Sequence, residues 1–234
     1  MQELHTISSL PISFSTFHSA ILSRNGMKSP GPSGLTLSVL QITPTYILQA
    51  LHHSLHAMWS SYHVPSSWQL REMALLPKKP NSITLAEMRP LMLLEVLRKI
   101  WLSLILQPLA SYLFQNKLIC PYQVGGIPHS GTEDAILQLI NTLEDSSERA
   151  ENLHILAFDK AKALDSPGRI GGISLAWQRL GISPNVANYI AQCDNDNHIF
   201  PPTPYYLFFP SKHLNLSFHA AMGTPQGCSS ASLS

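Results

Sequence analysis

Apolar residues along the chain fall into two kinds of pattern. Leu48, Leu51, Leu55, Met58 and Trp59 lie three or four apart, which predicts an amphipathic helix. Leu93 to Phe114 is apolar almost throughout and predicts a long buried helix. Ala135, Ile136, Leu139, Ile140 and Leu143 make one helix face, behind Ser130 and Glu133 at the spacing of a capping box. Residues 170–180 and 184–192 also predict helix, and residues 1–26 a helix or two with loops. The other kind is the short continuous run. Trp68 to Leu76 predicts a strand. Leu153 to Phe158, apolar at nearly every position, predicts a buried strand ending on Asp159. Tyr205–Phe209 and Leu214–Phe218 predict a hairpin. Two prolines and two glycines force a non-helical loop at Lys28–Gly34, and Pro90 holds Arg89 in an extended conformation. Helices and strands mix without regular alternation, so the expected class is α+β.

Composition narrows this picture. The chain has 234 residues, 44% of them hydrophobic, enough to bury one large domain or two small lobes. Only 12% are charged, against about 25% in ordinary globular chains. Fifteen Lys and Arg oppose 14 Asp and Glu, so a nucleic-acid surface would have to come from local placement of cations rather than overall excess. Cys120, Cys193 and Cys228 are scattered and odd in number, which suits reduced thiols inside a cell. The start MQELHTISSL carries Glu3 and no basic segment, so no signal peptide is expected. Ile100–Phe114 is short for a membrane span and contains Pro108. The expected setting is intracellular, away from membranes.

Several features could carry chemistry. Asp159 ends an apolar run, where a carboxylate either binds a metal or caps the next turn. Lys78, Lys79 and Arg89 flank proline-stiffened turns, placed for phosphate or simply for solvent. Gly223-Thr-Pro-Gln-Gly227 sets an amide between glycines, either to let a ligand approach the backbone or to make a turn. His52 and His56 share a helix face, but no Glu stands at position 53 and no third ligand is evident, so zinc is disfavoured. Asp194-Asn-Asp196-Asn starts like a calcium loop, yet Ile199 and Tyr205 stand where that loop needs Gly and Glu; a polar loop is expected.

The order of these features is more specific than any one of them. KSPGPSG, WQLREMALLPKKP, MRPLMLLEVLRKIW, QVGG with GTEDAI, LAFDKAKALDS and GTPQGCSS resemble the successive blocks of non-LTR, LINE-like retrotransposon reverse transcriptases across roughly residues 20–234. The resemblance implies a right-hand polymerase with fingers and a partial palm, its incomplete antiparallel palm sheet packed on helices. It divides the chain into an extension at 1–26, a fingers-like region at 27–122 and a partial palm at 123–234. It implies RNA-directed DNA polymerase ancestry, with Mg²⁺, deoxynucleoside triphosphate, RNA template and DNA primer. Asp159 then corresponds to a catalytic, metal-binding aspartate, with the Lys160 carbonyl beside it. Lys78 and Arg89 correspond to the triphosphate grip. Gln226 faces the nucleotide, and Gly223 and Gly227 let its segment pack close. Two-metal transfer needs several carboxylates around ions about 3.5–4 Å apart, with cations to neutralise the triphosphate.

Departures from that pattern set further expectations. No Asp-Asp pair occurs in the sequence. The expectation is therefore a fragment truncated before that motif and inactive alone, with the strand at Leu153–Phe158 short of a neighbour. Leu164 replaces the aromatic residue that excludes a ribose 2′-hydroxyl. Ser33 replaces an aspartate, Gly126 and Ile127 replace Phe-Arg, and Pro167 and Gly168 interrupt the segment just after Asp165. The alternatives are a non-catalytic nucleic-acid-binding remnant and a helical interaction protein with no nucleic-acid role.

Overall fold

The computed structural model describes residues 11–80, 84, 87–120, 122–125, 130–159, 169–195 and 198–200. Helix α1 (Phe14–Leu22) starts where the Ser13 hydroxyl accepts from the Thr16 N–H, and it buries Phe17 and Ile21, one turn apart. Helix α2 (Leu37–Ile42) is capped in the same way by Thr36. Helix α3 (Thr45–Ser60) buries Leu48, His52, Leu55 and Trp59, the stripe its spacing predicts, with Leu51 and Met58 partly buried beside it.

A 3-10 turn (Ser66–Gln69) leads into β1 (Leu70–Pro77). β2 (Met88–Leu93) returns antiparallel, from Glu72 opposite Leu93 to Pro77 opposite Met88. β3 (His198–Phe200) lies along the other edge of β1, parallel to it, giving the order β2-β1-β3. The sheet is thus mixed, and the α+β class holds. Arg89 is extended, as Pro90 requires.

Helix α4 (Val96–Gln115) runs through the core and buries residues around most of its circumference, among them Ile100, Trp101, Leu102, Leu104 and Leu109. Pro108 lies within it and gives no N–H to the carbonyl one turn back. The loop Lys28–Gly34 is clamped onto the start of α4. Ser33 donates its N–H (2.8 Å) and its hydroxyl (2.6 Å) to the two carboxylate oxygens of Glu95. A Cβ on Gly31 would lie 2.6 Å from the Glu95 nitrogen and the Leu94 carbonyl carbon, so only glycine permits this approach.

A short π-helical turn (Arg169–Ser174) runs into α6 (Leu175–Arg179), and α7 (Pro184–Gln192) follows. One hydrophobic core joins Phe17 and Ile21, Leu55 and Trp59, Trp101 and Leu109, Trp177, and Tyr189 and Ile190. Burial pushes the Tyr189 hydroxyl far above its ordinary range, and the nearby Cys193 adds to the shift. Among the described residues no helix is long and apolar enough to cross a membrane.

Two expectations are corrected. Helix α5 (Thr132–Glu148) has Gly131, not Ser130, as its N-cap; the Asp134 carboxylate, not Glu133, accepts the Gly131 N–H at 2.8 Å. Only that half of a capping box forms, because glycine at the N-cap has no side chain to accept from the Asp134 N–H. None of α5 is buried, and Ile136, Leu139, Ile140 and Leu143 are exposed. The second correction concerns Leu153–Phe158, which is neither a strand nor buried: Leu156 is 80% and Phe158 90% exposed. A strand exists only where a neighbour takes its backbone hydrogen bonds. Among the described residues β3, not this run, occupies the second edge of β1.

The centre of the fold is charged. Asp194, just after α7, takes the Arg71 Nη2 of β1 at 3.1 Å and the Arg98 Nη2 of α4, with all three side chains at most 3% exposed. Arg98 Nη1 also donates to the Trp68 carbonyl at 2.8 Å, and Arg71 Nη2 to the Cys193 carbonyl at 3.4 Å. The sequence reading expected only a polar loop at Asp194. Removing the carboxylate leaves two buried guanidiniums facing each other. Asp194→Ala is expected to lower stability by about 3–5 kcal/mol, read by urea denaturation; a loss below ~1 kcal/mol would contradict this role.

Glu72, half-buried on the central strand, gives a second prediction. Burial raises its carboxyl above the ordinary 4.5. The folded state then holds its proton more tightly than the unfolded state. Its contribution is therefore full below pH 4.5 and is lost as pH rises through the folded value. Glu72→Gln should flatten that decline in a pH series of urea melts. An identical pH profile for the two proteins would contradict it.

Candidate functional site

Alternation along β1 sorts its side chains between two faces. Arg71 and Met73 face the helices: Arg71 is buried, and Met92, opposite Met73, packs on the core. Leu70, Glu72, Ala74 and Leu76 face the other way. The ladder extends one step beyond the strands, with the Lys78 N–H donating to the Glu87 carbonyl at 2.9 Å. Arg89 lies opposite Leu76. Continued alternation puts Lys78 and Arg89 on the same outer face as diagonal neighbours, about 7–8 Å apart at the backbone. Both are exposed. Two residues eleven apart in sequence are therefore brought together because the hairpin register requires it. Lys79, next in the turn, is exposed as well.

The rest of the expected site is less assembled. Asp159 is exposed in a segment without regular secondary structure, and no ion pair reaches it among the described residues. Exposed to solvent, its charge carries no burial cost. Among the described residues no three His, Cys, Asp or Glu side chains gather to hold a metal ion. Lys160, Leu164, Gly223, Gln226 and Gly227 lie outside the described residues, as do the hairpin expected at 205–218 and Asp196.

His52 and His56 do share one face, and both turn to one acceptor. Their Nε2 atoms lie 2.7 Å and 3.2 Å from the Ile12 carbonyl, which assigns the Nε2–H tautomer to each. Their rings pack on Trp101. They tie the segment before α1 to α3. A depression of about 410 Å³ between α1 and α4, lined by Thr16, Leu104, Gln107, Pro108, Ala110 and Ser111, carries no ionisable group.

Sequence reasoning missed Arg98 as a structural centre. One signal was present: Arg98 has Val96, Leu97, Ile100, Trp101, Leu102 and Ile105 around it in the helical run, so little solvent face is left to it and it must find a buried partner.

No protein-family profile matches the chain. Over 171 residues it is 28% identical to the retrovirus-related Pol polyprotein from type-1 retrotransposable element R2 of Popillia japonica. The match takes in 72% of this chain and 22% of that polyprotein, so the chain spans about a fifth of the relative's length. The chain is accordingly similar to a retrotransposon-encoded protein.

Proposed function

We propose that the chain is a reverse-transcriptase segment of retroelement origin whose outer hairpin face grips nucleic-acid or nucleotide phosphate. The observation that carries this reading is the pairing of Lys78 and Arg89 on the exposed face of the β1–β2 hairpin, in a chain similar to a retrotransposon Pol polyprotein. A lysine and an arginine side by side on a rigid ladder offer a point charge and a planar fork to one phosphate group. RNA template, DNA primer and deoxynucleoside triphosphate are the partners this reading implies.

The described residues do not form a seat for Mg²⁺. Asp159 is exposed, with no cluster of further metal ligands among them. A polypeptide of these 234 residues contains no adjacent aspartates, and Asp159 alone cannot hold two dications. We therefore propose that these 234 residues on their own bind without catalysing.

Fluorescence polarisation with a labelled RNA–DNA hybrid, repeated over a salt series, tests the reading. The full chain should bind, with affinity falling as salt rises. Lys78→Gln with Arg89→Gln should weaken binding and shrink the slope of log affinity against log salt by about 1 per cation removed. Primer extension with Mg²⁺ should yield no product. Wild-type affinity in the double variant, or an extended primer, would contradict the proposal.

A further inference from the structure

A second group of cations gathers at the start of α4. Glu95, Lys99 and Ser103 lie four apart there and form one row along the helix. The row is covered from outside. Ser33 sits on Glu95, holding both carboxylate oxygens. The Arg24 guanidinium, just past the end of α1, donates to the Ser103 hydroxyl. Arg24 therefore lies about one turn from Lys99 along the same face. Lys28, exposed in the clamped loop, is the third cation, near enough to act electrostatically on Lys99.

This arrangement is electrostatically unfavourable as it stands. Lys99 is half-buried and its ammonium is pushed below the ordinary range. Burial is the largest cause; Lys28 and Arg24 lower it further, and Glu95 opposes them. Burial also lowers Arg24. Among the described residues no ion pair takes up Arg24, Lys28 or Lys99. Two further cations thus act on Lys99, and the one carboxylate that opposes them already accepts from Ser33. Like charges held together in a half-buried place are relieved by an anion that accepts from all of them.

We infer that Arg24, Lys28 and Lys99 form a second phosphate-binding site, occupied by the sugar–phosphate backbone of a nucleic acid. The inference rests on the nucleic-acid-binding function proposed above and adds a separate point of contact. Arg89 lies near one end of β2 and Leu93 at the other, four residues and ~13 Å away, and Glu95 follows beyond Leu93. One phosphate group cannot bridge that span, but a strand of several nucleotides can. Neither site needs an excess of positive charge over the whole chain, which matches the net charge of +1.

The test uses the full chain, a labelled RNA–DNA hybrid and, separately, inorganic phosphate. Lys28→Glu is the main variant, since Lys28 is exposed in a loop and its loss leaves the core untouched. Its affinity for the hybrid should fall about tenfold, with a smaller salt slope. The Lys99 side-chain methylene signal should move on titration with inorganic phosphate in the wild type and move less in Lys28→Glu. A Lys28→Glu protein that binds the hybrid as wild type does, or a Lys99 signal indifferent to phosphate, overturns the inference. If Lys78→Gln with Arg89→Gln weakens binding while Lys28→Glu does not, this site alone falls and the proposed function stands. If the wild type binds phosphate but no hybrid, the nucleic-acid occupant is overturned together with that function.

Discussion

The fold depends on one carboxylate. Asp194 holds two arginines that come from far away in sequence, 123 residues back to Arg71 and 96 back to Arg98. The three residues come from different places: Arg71 from the central strand, Arg98 from the long core helix and Asp194 from just after α7. Two buried guanidiniums would repel each other and the apolar surroundings without it. With it, β1 is held against α4 with Arg71 on its inner face. Alternation then turns Lys78 outward, and the pairing of β2 with β1 brings Arg89 beside it on that face.

Much of this was legible in the sequence because it is local. The stripe of α3 repeats every three or four residues and needs no partner to be recognised. Pro90 dictates the backbone of Arg89, and the proline–glycine loop announces itself at Lys28–Gly34. The adjacency of Lys78 and Arg89 was legible only through resemblance, since periodicity does not reveal ladder register. The triad around Asp194 was not legible, because a buried carboxylate is recognised by partners about a hundred residues distant. The cations around Lys99 were hidden for the same reason: Arg24 comes near it by way of Ser103, and Lys28 through the loop that Ser33 and Glu95 clamp.

The run Leu153–Phe158 shows the converse limit. Its composition reports a preference for burial, but burial requires a neighbour, and the described sheet gives its second edge to β3. The same holds for α5, whose apolar stripe forms a helix by local propensity yet buries nothing. A helix closes its hydrogen bonds within its own segment and forms even when exposed, whereas a strand needs a neighbour to form at all. Asp159 shares this outcome: it follows an apolar run that forms no strand, and it stands in solvent.

The central claim is that a sheet anchored through Asp194 presents basic residues to nucleic acid. Ultraviolet cross-linking of the full chain to an RNA–DNA hybrid, with the linked peptides identified by mass spectrometry, tests it most directly. The account predicts cross-links in the peptides that carry Lys78 and Arg89. Cross-links confined to α5, or spread without preference over the chain, would contradict it.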